Sequence, residues 1–424
     1  MKRFIWMMTV FTLLCMSGMS QEKQVQAGSL GVRGVWVSCF EFEKFGLKDK
    51  PEGVFRANAD RIFANIKANG CNTVYFHVRA YDDAIYPSSV VGWSRYISGS
   101  GSALSYNPLS ILVSSAHKHG LKFHAWMNPY RVTAKKVLDP GQNSTTDRIV
   151  RQVKEIIEHY PVDGIHFDDY FYPTNEKKYK KVDKATRMKN VNGMVQSVYH
   201  AVKQKNKRLL FGISPAGDIS YCERIGADVK TWLSRQGYID YIVPQIYWSD
   251  HYLLAGKKTK LFTTRLSAWR KINSIDIPMY VGLALYKTGY KLTEDPGWQK
   301  SSRNIARQIT EISTGNTEGY VLFSYSDLYR ASASKELKHY FESIGKIYMS
   351  KSRKTLKAGK KYRLRASISI GRLAGKLKWR SSNKKIATVT KTGLVKARKK
   401  GKVKIYASYG SLKRYCLIKV KKKK

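Results

Sequence analysis

The chain lacks the features that would tie it to several large classes of protein. It has five cysteines in 424 residues, and their spacing is neither that of a metal site nor that of a disulfide framework. With a leader removed, Cys39, Cys71, Cys222 and Cys416 remain, and lone buried thiols are the expectation. No Gly-rich phosphate loop follows the first β-like run, no dinucleotide fingerprint occurs, and no serine sits in a nucleophile elbow. No strand end offers closely spaced His and carboxylate ligands, so neither a metal nor another cofactor is expected. Beyond the N-terminus no apolar stretch is long enough to cross a membrane. Acid is the most unevenly missing property: residues 351–424 hold 28 Lys and Arg and no Asp or Glu.

What is present points to a folded, two-part, exported protein. Hydrophobic residues make up 43% of the chain, enough for a sizeable core, and the length suits a large domain plus a small one. The 28 Tyr and 9 Trp suit the faces of sugar rings. Lys2 and Arg3 precede a short apolar run from Phe4 to Cys15, and small residues follow up to Ala27. This is the pattern of a signal peptide over residues 1–27, cleaved after Ser20 or Ala27. Lipidation at Cys15 is disfavoured, because Leu14 stands where a small residue is expected. The protein is therefore expected to be secreted or held at the cell envelope. Its net charge of +47, concentrated at the C-terminus, suits polyanions. For an exported chain these are anionic envelope polymers, and no specific nucleic acid partner is expected.

Eight β-like runs, each followed by a helical stretch, lie between residues 31 and 328: Gly31–Cys39, Asn72–Arg79, Lys122–Asn128, Gly164–Asp168, Leu209–Ser214, Tyr241–Tyr247, Met279–Leu285 and Tyr320–Ser324. Amphipathic segments such as Asp60–Ala68 and Asp147–His159 separate them. Eight such units predict an α/β fold, a (β/α)8 barrel, over residues 28–345. Short alternating runs with turn residues between them then predict a small all-β sandwich over 346–424.

Working residues in such a barrel sit at the C-terminal ends of the strands. The fourth run reads Gly164-Ile-His-Phe-Asp-Asp-Tyr-Phe-Tyr-Pro173. Alternation puts His166 and Asp168 on one face, with Asp169 at the rim. Burying carboxylates there costs free energy that a structural role does not require, so Asp168 and Asp169 are the catalytic candidates. Other strand ends supply binding candidates: Arg79, Asp82 and Asp83 after the second run, Trp126, Asn128 and Arg131 after the third, His166 on the fourth, and Gln245, Tyr247 and Trp248 after the sixth. Carboxylates, amides, arginines and aromatics ringed together suit a polysaccharide. Glycoside hydrolysis needs little more than two carboxylates and a shaped cleft.

Several of these motifs occur together elsewhere. Val32-Arg-Gly-Val-Trp36, His77-Val-Arg79, His124-Ala-Trp-Met-Asn-Pro-Tyr-Arg131, the fourth-run motif and Pro244-Gln-Ile-Tyr-Trp248 resemble the glycoside-hydrolase-like 10 family, formerly a domain of unknown function numbered 187. The resemblance covers about residues 30–340. It implies a (β/α)8 glycosidase, and characterised members cleave peptidoglycan strands stripped of stem peptides. Trp379-Arg-Ser-Ser-Asn383, Ile386-Ala-Thr-Val389 and Gly393-Leu-Val-Lys-Ala397 resemble the group 2 bacterial immunoglobulin-like domain, an extracellular spacer or adhesive module. The expected function is hydrolysis of cell-wall glycan. The alternatives are another polysaccharide as substrate, or a glycan-binding adhesion protein without activity. Two mechanisms stay open. One pairs an Asp of the fourth run with a carboxylate across the cleft (Asp82, Asp83 or Asp250). The other uses Asp168 and Asp169 with the sugar's own acetamido group as nucleophile.

Overall fold

The computed structural model describes residues 31–168, 170–173, 177–313, 317–344, 347–368, 377–409 and 412–422. The expected leader, residues 1–27, and the candidate Asp169 lie outside them. Eight parallel strands form one sheet: β1 (Val32–Val37), β2 (Thr73–Arg79), β3 (Lys122–Met127), β4 (Gly164–Phe167), β5 (Leu210–Ile213), β6 (Tyr241–Ile242), β7 (Tyr280–Ala284) and β8 (Gly319–Phe323). They pair in chain order, and β8 returns to β1 with Val32 beside Gly319. Bridges from Ile242 to Met279 and from Gln245 to Gly282 close the ring between β6 and β7. The sheet is thus a (β/α)8 barrel.

The helices that wrap it are α1 (Glu52–Ala68), α2 (Pro108–Lys118), α3 (Asn143–His159), α4 (Lys184–Lys205), α5 (Leu261–Ile272), α6 (Asn304–Ser313) and α7 (Ala331–Ile344). Their sequences explain them. In α3 the buried Ile149, Val153, Ile156 and Ile157 recur at three- and four-residue spacing, one apolar stripe against the sheet. Asp183 caps α4 by accepting from the Thr186 N–H at 2.9 Å. None of the helices described is long and apolar enough to span a membrane.

The barrel interior is aromatic rather than aliphatic. Trp36, Tyr75, Trp126, Tyr241 and Tyr280 pack there with Val243 and Val321. Such large rings fit because glycine faces them. A Cβ on Gly164 would lie 2.6 Å from His124 Nδ1, and one on Gly34 would lie 2.7 Å from the Tyr75 ring. Strand β6 is shorter than the run Tyr241–Tyr247 suggests. Pro244 has no N–H to donate and ends the ladder, and Gln245 then bridges to Ala216 and Gly282 as an isolated residue.

The C-terminal region is a two-sheet sandwich. One sheet holds β9 (Arg353–Lys357), β11 (Lys378–Ser381), β14 (Gly401–Tyr409) and β15 (Leu412–Lys421) in the order β9-β15-β14-β11. The other holds β10 (Lys361–Arg363), β12 (Ala387–Val389) and β13 (Leu394–Ala397) in the order β10-β13-β12. Val403, Ile405, Cys416, Ile418 and Val420 meet Leu364, Val395 and Ala397 in the core between them. Among the described residues Cys39, Cys71, Cys222 and Cys416 are buried, and none of them forms a disulfide.

Candidate active site

A cavity of about 230 Å³ opens at the C-terminal ends of the barrel strands. Its floor is set by residues that point inward by strand alternation. Trp36 of β1, His77 of β2, Trp126 of β3 and Ser214 after β5 all line it. Beneath them runs a buried hydrogen-bonded chain. Trp36 Nε1 donates to His166 Nε2 at 3.2 Å, His166 Nδ1 lies 3.1 Å from the Tyr241 hydroxyl, and that hydroxyl lies 2.9 Å from His124 Nδ1. An Nε2 that accepts from Trp36 leaves the proton on Nδ1, where it can reach Tyr241. Burial pushes the His166 imidazole well below its ordinary range and takes His124 down to about 4. Both are neutral struts that fix the Trp36 ring.

One wall of the cavity is polar. Asp168, at the end of β4, is buried and lines the cavity, and its Oδ1 accepts from the Tyr170 N–H at 3.2 Å. The Trp126 and His77 rings stack face to face, 3.8 Å apart and 7° from parallel. Burial, with Arg79 and Arg131 nearby, pushes His77 down to about 3, so it too is neutral. Asn128 donates from Nδ2 to the Ala80 carbonyl at 2.9 Å, while its Oδ1 and the Trp126 Nε1 are buried with no hydrogen-bond partner among the described residues. Buried polar atoms are almost always paired, so an unpaired acceptor and donor on two cavity-lining residues suit a polar ligand. Arg131 spreads its guanidinium over the Tyr170 ring at 3.9 Å. It has no carboxylate partner among the described residues, and its hydrogen bond is to the Ala134 carbonyl at 3.4 Å.

The opposite wall is aromatic. Tyr247, Tyr286 and Phe323 line the cavity and touch one another, with ring centroids 5.9 to 6.1 Å apart. Phe40, 65% exposed, stands at the mouth. The loops that carry this mouth are tied by buried Glu41. It accepts from Ser38 N–H, the Ser324 hydroxyl and Ser326 N–H at 2.6 to 2.9 Å. Burial raises the Glu41 carboxyl despite these bonds.

Of the residues singled out from sequence, the cavity brings together Asp168, Trp126, Asn128, Arg131, Gln245 and Tyr247. It does not include Arg79, Asp82, Asp83, His166 or Trp248. Arg79 is fully buried behind the wall, bonded to the Asn128 carbonyl and to Asp82. Asp82 also takes Arg148 at 2.8 and 3.1 Å and Gln152 at 3.2 Å. Burial alone would raise its carboxyl, but the two guanidinium groups hold it below the ordinary range. Asp83 turns back to accept from the Tyr81 N–H at 3.0 Å. Trp248 packs on Gly217 under Arg265. Asp250, weighed as a partner across the cleft, accepts instead from the Thr263 N–H and hydroxyl. Tyr286 and Phe323 were not foreseen, since an aromatic that lines a cavity looks in sequence like one that fills a core. The described residues contain no cluster of His, Cys, Asp or Glu that could hold a metal ion.

A closed barrel with a buried strand-end carboxylate, facing aromatic and amide walls, suits a glycosidase of the (β/α)8 class, and the relatives of this chain bear that class out. The chain belongs to the glycosyl hydrolase-like 10 family, whose model matches residues 31–137 and 132–300. The bacterial Ig-like domain (group 2) model matches residues 345–413. Among similar proteins, glycosyl hydrolase YngK of Bacillus subtilis (strain 168) is 29% identical over 70% of this chain and 68% of its own. Glycosyl hydrolase DigH of Escherichia coli (strain K12) is 27% identical over 72% of this chain and 86% of its own. The glycoside hydrolase domain of PgaB (BpsB) from Bordetella bronchiseptica shares the fold. Its TM-score is 0.52 at 10% identity, over 72% of this chain and 98% of that one.

Proposed function

We propose that the protein is an exported, endo-acting glycosidase that cuts bacterial cell-wall glycan lacking stem peptides, with Asp168 at its catalytic centre. The observation that carries this is the placement of Asp168: among the described residues it is the carboxylate that lines the cavity. A mechanism with two carboxylates facing each other needs a partner across the cleft, roughly 5–10 Å away. Asp82, Asp83 and Asp250 are each engaged elsewhere. This favours the substrate-assisted scheme for an acetamido sugar. There the acetamido oxygen attacks the anomeric carbon, the bond to the leaving oxygen breaks, and that oxygen takes a proton. Water then opens the cyclic intermediate and returns the acetamido group. Asp168 and its sequence neighbour Asp169 divide the two tasks, one orienting the acetamido group and the other acting as general acid.

Arg131 supports the wall-glycan reading. An arginine in the cavity without an acid partner among the described residues is matched to a carboxylate on the substrate, such as the lactyl group of muramic acid. The test is a panel of peptide-free wall glycan, uronic glycans and neutral glucans, each assayed for new reducing ends. Wall glycan is expected to be cut fastest. Neutral glucans cut as fast would remove the acidic-sugar reading, and binding without any new ends would replace the hydrolase with a glycan-binding protein.

A further inference from the structure

The outer face of the four-stranded sheet in the C-terminal sandwich is a lattice of cations. Alternation along β14 and β15 turns Val403, Ile405, Cys416, Ile418 and Val420 into the core, and it turns the residues between them outward. The register then places Lys402 beside Lys419, Lys404 beside Leu417, Tyr406 beside Tyr415 and Ser408 beside Lys413. At one edge Lys357 lies beside Lys421, and at the other Arg380 lies beside Tyr406. Like charges directly opposite one another on a sheet are destabilising. Residues 351–424 supply no acid to relieve them. The fold gains nothing from Lys402 facing Lys419, so the arrangement suits a partner rather than the sandwich itself.

The two tyrosines decide what kind of partner. Lys413 Nζ lies 5.1 Å from the Tyr406 ring centre and the Arg380 guanidinium 5.6 Å from it. Lys404 Nζ lies 4.7 Å from the Tyr415 ring, and the two rings meet edge to face at 5.7 Å. Rings covered by cations are not open platforms for stacking nucleobases. They act as posts that hold the cations in place. Outward residues recur at roughly 6.7 Å along a strand and about 4.8 Å between strands. A flexible chain can lay successive anions on such a lattice. A rigid duplex touches it along one stripe, and the face offers no element that enters a groove.

We propose that this face binds a flexible linear polyanion with phosphate groups along its backbone, and so holds the enzyme on an anionic cell envelope. The test uses the full chain with inorganic polyphosphate as probe, at low and high salt. One variant, K402Q/K404Q/K419Q, removes three charges from the face. A second, K361Q/K391Q/K396Q, removes three exposed charges elsewhere in the same domain and so changes the net charge equally. The first is expected to weaken polyphosphate binding at least tenfold and to flatten its salt dependence, and the second to weaken it less than threefold. Equal losses in the two would overturn the face as a site and leave only net charge. Tighter binding to anionic lipid vesicles or to duplex DNA than to polyphosphate would overturn the choice of partner. Y406L keeps every lysine and removes one post, so it is also expected to weaken binding. An affinity unchanged in Y406L would contradict the role given to the tyrosines.

Discussion

Asp168 and Arg131 face the same cavity with opposite charge, and their roles separate in kinetics. Arg131 acts on binding if it reads a substrate acid. R131Q is expected to raise KM for muramic glycan about tenfold or more, the loss of one charge-assisted pair, with kcat little changed. On a neutral acetamido glycan, which keeps the internal nucleophile and lacks the lactyl acid, the same substitution should change little. A fall in kcat with KM unmoved would place Arg131 in the chemistry instead. At this scale the sequence was half legible. Strand alternation found Trp126, Asn128, Asp168 and Gln245, because the cavity is built from inward positions at strand ends. Asp82 lies outside that lining, because its partners Arg148 and Gln152 arrive from α3, 66 and 70 residues away. No local pattern shows a guanidinium that comes from another element.

Pairing of whole elements also carries titrating groups. Glu336 of α7 accepts from the Ile305 N–H at the start of α6 at 3.0 Å, and its second carboxyl oxygen is buried with no hydrogen-bond partner among the described residues. Burial pushes this carboxyl up to about 7 from 4.5. A raised carboxyl contributes stability below its unfolded value and loses it as pH rises through the folded one. At pH 8 the ionised group therefore costs up to about 3 kcal/mol. E336Q keeps the acceptor and removes the charge. It is expected to raise Tm at pH 8 and to match the parent at pH 4.5. An equal Tm at pH 8 would show that the carboxyl is solvated there. The elements themselves were the most legible level. Eight runs became eight strands in order, since a buried parallel strand flanked by helices leaves a strong pattern. Strand β6 fell short because one proline outweighed the apolar run around it.

For the whole molecule, the interior layer of histidines sets the response to acid. His77 and His124 are pushed down to about 3 and about 4, and His166 lies well below its ordinary 6.5. Groups with depressed folded values contribute stability that is present above pH 6.5 and lost as pH falls toward the folded values. Each costs about 1.4 kcal/mol per pH unit in that window, and three together outweigh the opposite pull of Glu336. Denaturant unfolding is expected to show stability falling steeply between pH 6.5 and 5. A flat profile there would mean that the histidines are charged or hydrated in the native barrel. The two-part organisation was legible from the loss of acid and the change of period after the barrel.

The most direct test is release of reducing ends from peptide-free wall glycan by the parent protein and by D168N, with Tm measured for both. The parent is expected to cut the glycan. D168N, with the side-chain shape kept and the carboxylate removed, should fold normally and turn over about 10²–10⁴-fold more slowly. A D168N protein that cuts wall glycan at the parent's rate would remove Asp168 from the chemistry and contradict the assignment of this cavity as the active site.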